Sequence, residues 1–245
     1  MKKAVLLAAA ACAALVVGCA RTAGVADRGE PEGTRDRARA WDGPFELAGT
    51  YYEGDGFVVN WLICGVFPNP GISRTTEQDW DPAENCHGWD VDYLKSAGGE
   101  QGIKPYEGMQ VEAEGKTYAW RSYASIMSDI DFTRIYYDDF LAKRFHWKFA
   151  LGYAACYIKS DQARDIRIKV GSDDGFKLWL NHKRLVERHV HRGWEMDSDT
   201  IAARLEPGHN LLLLKVDTDI EGWKFSARLT DATDRALDDV TIWLK

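Results

Sequence analysis

Side chains able to do chemistry gather in a few places along this chain. His189 and His191 alternate across Val190, so on an extended backbone both face one side. Two imidazoles so placed can share a zinc ion, with His182 across a hairpin as a third ligand; the plainer account is a solvated strand face. In a polar stretch Trp80 stands beside Asp81 and Trp89 beside Asp90 and Asp92, and further on Trp194 sits among Gly and Arg. An indole face stacks on the apolar side of a pyranose ring. Carboxylates beside it take hydrogen bonds from sugar hydroxyls or hold calcium, which gathers six to eight oxygens. Trp80, Trp89, Asp90, Asp92 and Trp194 are therefore the expected ligand-binding residues.

Hydrolysis of a glycoside would need two carboxylates about 5 to 9 Å apart. Asp138 with Asp139, or Glu100 with a loop aspartate, supplies such groups, but adjacent carboxylates on an extended chain point apart. The sequence has no Gly-x-Ser-x-Gly elbow and no His-Glu-x-x-His helix. Binding without catalysis is the expectation, and no catalytic residue is assigned.

The elements that must position these groups are strands. From Ile168 to Val190 polar and apolar residues alternate on both sides of two turn signals, Ser172-Asp173-Asp174-Gly175 and Asn181-His182. Three successive antiparallel strands require that pattern. Further strands are read over 57–67, 147–158, 166–170, 211–216 and 223–229, with a hairpin turning at Glu114-Gly115 and a final edge strand within 238–245. The stretch from Ile72 to Gly108 reads as a long loop shortened by a helix near Val91 to Ser96. Turn signals recur every eight to twelve residues without a long amphipathic helix, the pattern of an all-β antiparallel sandwich with long loops.

The N-terminus carries a processing signal. Lys2 and Lys3 precede an apolar run from Ala4 to Gly18, too short to span a bilayer comfortably. Val16-Val17-Gly18-Cys19 resembles the lipobox of bacterial lipoproteins, which implies acylation of the Cys19 thiol and cleavage before it. Ala20 fits outer-membrane sorting, so an extracytoplasmic, lipid-anchored location is expected. The expected organisation is signal peptide 1–18, lipidated cysteine and flexible tether 19–40, and one β-sandwich domain over 41–245.

Of the five cysteines, Cys64, Cys86 and Cys156 remain after the signal and the lipidated residue. None has the doubled Cys-x-x-Cys spacing of a zinc or redox centre. In an oxidising compartment Cys64 is expected to bridge to Cys86, leaving Cys156 as a buried thiol. The net charge of −7 argues against nucleic acid, which needs a dense positive face.

The run Gly171-Ser-Asp-Asp-Gly-Phe-Lys-Leu-Trp-Leu-Asn181 resembles a jelly-roll family, together with 153–158, Gly208 to Val216 and Gly222 to Phe225. These are the galactose-binding-like and protective-antigen-like sugar-binding modules of secreted or surface bacterial proteins. The resemblance implies a jelly-roll β-sandwich that binds a glycan or polysaccharide against aromatic rings, with calcium bracing a loop through Asp173 and Asp174. His182 stands where the family commonly has glycine. The alternative reading is a lipoprotein that uses the sandwich to bind an envelope protein.

Overall fold

The chain divides into two units, Met1–Arg37 and Ala38–Lys245. The computed structural model describes residues 46–49, 55–71, 86–137, 148–220 and 222–245, all in the second unit. Cys19, Trp80, Asp81, Asp138 and Asp139 lie outside the described residues.

The strands are β1 (Glu46–Gly49), β2 (Asn60–Pro68), β3 (Gln110–Ala113), β4 (Lys116–Ala119), β5 (Arg121–Ala124), β6 (Ile130–Asp131), β7 (Ala150–Ser160), β8 (Arg164–Asp173), β9 (Phe176–Leu180), β10 (Lys183–Arg188), β11 (Asp199–Leu205), β12 (Gly208–Thr218), β13 (Lys224–Thr230) and β14 (Thr241–Leu244). One short helix, α1 (Phe132–Ile135), is capped by the Asp131 carboxylate, which accepts from the Arg134 amide. The larger sheet runs β1-β14-β7-β12-β9-β10, with β2 against β7 and β5 against β2; the smaller runs β11-β8-β13-β6. Every named pairing is antiparallel. The fold is an all-β antiparallel sandwich of jelly-roll type.

Alternation sets which side of each strand meets the core. On β8, Ile166, Ile168 and Val170 are buried while Arg167 and Lys169 lie between them on the other face. Ile168 stands opposite Ile201 of β11 and Leu229 of β13, a cross-strand apolar row. The matching inner face of the larger sheet aligns Leu212, Leu214 and Val216 of β12 with Leu180, Leu178 and Phe176 of β9. Aromatic rings fill the space between: Trp61 meets Phe225 edge-on at 5.2 Å, and Phe132 lies 4.7 Å from Trp223. Each such ring, fully buried, stabilises by roughly 1.5–3 kcal/mol.

Two expectations change. The final strand β14 is not an edge; it lies between β1 and β7. The helix expected at 91–96 is a 3-10 turn over Lys95–Ala97, closed by Gly98 in the left-handed region. The Asn181-His182 turn has positive φ at both residues, 49° and 69°, the geometry that matches strand twist in a two-residue hairpin. Asn181 anchors the turn: its side-chain amide nitrogen donates to Asn210 Oδ1 and its side-chain Oδ1 accepts from the Leu211 backbone N–H.

Candidate functional site

The outer face of the larger sheet is also buried, by the segment following Cys86, and this covered face holds the chemistry. A row of side chains crosses four strands there: Tyr153 on β7, Lys215 on β12, Lys177 on β9 and Glu187 on β10. Lys215 is completely buried. Its ammonium donates to the carbonyls of Trp89 and Val91, both at 2.7 Å, and to Glu100 Oε1 at 3.0 Å. Lys177 donates to the same Trp89 carbonyl and to Asp90 Oδ1, each at 3.0 Å, and lies 3.2 Å from Glu187 Oε1. Burial pulls Lys215 below the usual lysine range, opposed by the Glu100 carboxylate. Two buried cations thus fasten the covering segment by its backbone.

That fastening accounts for three of the expected ligand-binding residues. Trp89 is only 2% exposed, not a sugar platform. Its carbonyl, drawn onto the two ammonium groups, carries the indole inward. There the ring stacks on His189 at 4.4 Å and 6°, and its Nε1 donates to Glu187 at 2.7 Å. Asp90 pairs with Lys177, whose hydrogen bond holds its carboxyl below the ordinary range. Asp92 accepts the Leu94 and Glu100 amides and so braces its own turn. Glu100, weighed as a catalytic carboxylate, instead accepts from Tyr153 Oη at 2.7 Å and from Lys215. Trp194 is half-buried, with Nε1 donating to Ser226 at 3.3 Å and the Lys224 ammonium 4.5 Å from its ring centre.

Metal-ligating side chains converge in two groups at one end of β12. Asp217 and Asp219 follow each other by two residues there, and His189 and His191 do the same after β10. Cys86, His189 and Asp217 form one group and Asp174, His191 and Asp219 the other; within each, the donor atoms lie within 4.8 Å of one another. The two histidines therefore belong to separate groups of side chains rather than to one. His182 joins neither, because it sits in the β9–β10 turn, at the far end of β10 from His189.

In the second group His191 Nδ1 lies 3.1 Å from Asp174 Oδ1 and 2.9 Å from Asp219 Oδ1. Neither approach has hydrogen-bond geometry, so the imidazole nitrogen and the Asp219 oxygen face each other unpartnered. Burial, then the neighbouring Asp219 and Asp217 carboxylates, push the Asp174 carboxyl up to about 9, against the Asp219 and Arg192 amides that donate to it. Of the expected calcium pair, Asp174 belongs to this group and Asp173 does not. Two carboxylates and an imidazole suit zinc-class ions better than calcium, which wants an all-oxygen shell. Gly175 lies alongside without a positive φ, so what it supplies is room rather than a left-handed turn. A Cβ there would stand 2.5 Å from the Arg188 carbonyl oxygen and 2.9 Å from Asp217 Oδ1.

The bridge expected between Cys64 and Cys86 is absent: both are free thiols, as is Cys156. Cys64 belongs to the apolar core on β2, where burial pushes its thiol up to about 12. Cys86 faces polar partners, hydrogen-bonding the Asp217 and Asn69 side chains. Burial and the Asp217 carboxylate push its thiol upward too.

Beside these groups opens a cavity of about 430 Å³, lined by Asn69, Glu114, Lys116, Tyr118, Lys148 and Phe149 among others. Its wall is continuous with the metal-ligating groups. The Asn69 amide donates to Asp217 Oδ2 at 3.1 Å, the Asn69 backbone N–H donates to the Phe149 carbonyl, and the Phe149 N–H to that of Asp219. Among the described lining residues Glu114 supplies the one carboxylate, where glycoside hydrolysis needs two. Sequence reasoning missed Asp217, Asp219 and this cavity; the legible signal was Asp217-Thr-Asp219 closing an apolar strand while His189-Val-His191 leaves another.

No family model matches the chain, and no curated protein matches it. Among solved structures, the PA14 domain of the antifreeze protein MpAFP aligns at 13% identity and a TM-score of 0.32, over 38% of this chain and 51% of that one. A β-glucosidase from Kluyveromyces marxianus, in complex with glucose, aligns at 13% identity and 0.36, over 52% of this chain and 15% of that one. The subtype-switched epithelial adhesin 9-to-1 A domain from Candida glabrata, in complex with β-lactose, aligns at 10% and 0.33, over 81% and 93%. The chain thus spans about half the length of the first and a small part of the second.

Proposed function

We propose that this domain binds a glycan without cleaving it, in the cavity at the Asp217–Asp219 end of the larger sheet. The observation that carries the reading is the cavity itself. Its 430 Å³ is sized for a small sugar, and it combines three aromatic side chains, Phe67, Tyr118 and Phe149, with Asn69, Glu114, Lys116 and Lys148 as hydrogen-bonding groups. A cation held by Asp174, His191 and Asp219 would stiffen the neighbouring wall through the Asp219–Phe149 backbone bond. Cys19 carries the lipid that anchors the protein to the membrane, and loss of acyl-chain labelling in Cys19→Ala checks that part.

The test is a glycan and polysaccharide array probed with the purified chain in chelator, in calcium and in zinc, repeated with Tyr118→Ala and Lys148→Ala. Saturable binding weakened about tenfold or more by Tyr118→Ala, the worth of one aromatic contact, supports the reading. Binding to no glycan, or binding indifferent to both substitutions, refutes it and turns the search to an envelope protein partner.

A further inference from the structure

We infer that Cys86, His189 and Asp217 form a binding site for a zinc-class ion that staples the covering segment to the outer face of the larger sheet. One thiol, one imidazole and one carboxylate are the ligand types that zinc takes, whereas calcium and magnesium avoid the first two. Their donor atoms already lie within 4.8 Å of one another, so small side-chain movements bring them to a common ion.

The surroundings are those of a built site. Asp217 is 1% exposed, and the side chains that partner its buried carboxylate are the Asn69 amide and the Cys86 thiol itself, so thiol and carboxylate already stand together where one ion could bridge them. The Asn69 amide orients the carboxylate as an outer ligand-holding group does. Trp89 stacks flat on His189 and fixes the plane of the imidazole. Cys86 takes a positive φ of 57°, and the turn after it is closed by the Trp89 amide donating to its carbonyl. Gly88 lets that turn lie against β2, since a Cβ there would be 2.3 Å from the Pro68 carbonyl oxygen. Three sequence-distant segments therefore present three ligands, each held by a separate neighbour. On binding, the thiol proton leaves to solvent and the sulfur bonds the metal as thiolate.

The site adjoins the proposed sugar site and shares Asn69 with it, but its test reads metal rather than glycan. The full chain, stripped with chelator, is titrated with zinc and with cobalt(II). We expect a thiolate-to-cobalt charge-transfer band that zinc abolishes, and a rise in unfolding temperature with zinc. Cys86→Ser removes the band, His191→Ala leaves it, and Asn69→Ala weakens zinc binding about 10–100-fold. Wild type and Cys86→Ser unfolding alike in chelator, with only the wild type gaining from zinc, separates ligand loss from misfolding. Absence of the band in the folded wild type, or its survival in Cys86→Ser, overturns the inference. Rapid alkylation of Cys86 in a chain that takes up no metal would overturn it in favour of a Cys-His-Asp nucleophile.

Discussion

Replacing Lys215 by methionine tests whether the covered face is held by its buried cation. Methionine keeps the length and apolar stem of lysine, so the substitution removes charge and donors while opening little space. What remains behind is two carbonyls, of Trp89 and Val91, and the Glu100 carboxylate, all of which lose a hydrogen bond at 3.0 Å or less. Glu100 keeps the Tyr153 hydroxyl, but its charge is then 15% exposed with no cation at hand. Breaking a buried ion pair from one side costs about 3–5 kcal/mol. The expected loss in urea-unfolding free energy lies in that range, with faster amide hydrogen exchange in the segment from Trp89 to Ile103. Lys177→Met should cost less, because water screens Asp90, whose side chain is 88% exposed, and Glu187 keeps the Trp89 indole and Arg184. Adding Glu100→Gln to Lys215→Met should recover part of the loss, since the stranded charge is then gone. A loss under about 1 kcal/mol, the worth of a surface substitution, would refute the reasoning, as would a larger effect from Lys177→Met.

Gly88→Ala should lift the Cys86 turn off Pro68 and cost about 1–3 kcal/mol in a denaturant melt, as overpacking does, whereas Gly193→Ala, whose Cβ meets nothing within 4 Å, should leave stability unchanged. Dithiothreitol should not move the unfolding midpoint, because the three described cysteines are free thiols; a clear drop would restore the expected bridge. In chelator, the stability of wild type relative to Asp174→Asn should fall as pH rises from 3.8 towards about 9, whereas His182, His189 and His209, held below the ordinary imidazole range, work the other way in both proteins. The unfolded chain gives up the Asp174 proton at its ordinary value, while the folded chain holds it until about 9, so the folded state binds more protons across that window. Denaturant melts of wild type and Asp174→Asn from pH 4.5 to 8.5 whose difference does not change with pH would contradict this.

Alternation by itself determined most of the strands. Ile168 to Val190 reads as three antiparallel segments because a strand with one face in an apolar core must alternate, and Asn181-His182 marks a two-residue turn because Asn accepts positive φ. The same local logic found the Glu114-Gly115 hairpin, and it placed the two histidines on one side of an extended backbone. Residues buried on the outer face defeated it. Lys215 follows four leucines and Lys177 precedes Leu178, and a lone lysine in a strand reads as solvated until a covering segment seals it. Trp89 looked exposed for the mirror-image reason: its stretch is polar in composition, yet Lys177 and Lys215 draw its carbonyl inward. Pairing Cys64 with Cys86 needed the one fact that a period of two does not contain, namely which residues face each other from distant segments. Register between β12 and β9, and the fold of the turn after Cys86 onto Pro68, brought residues 86, 189 and 217 together and left Cys64 in the core. A local pattern reports which side of a strand is buried; the neighbours on that side are chosen by strand order and loop packing, which only the tertiary structure decides.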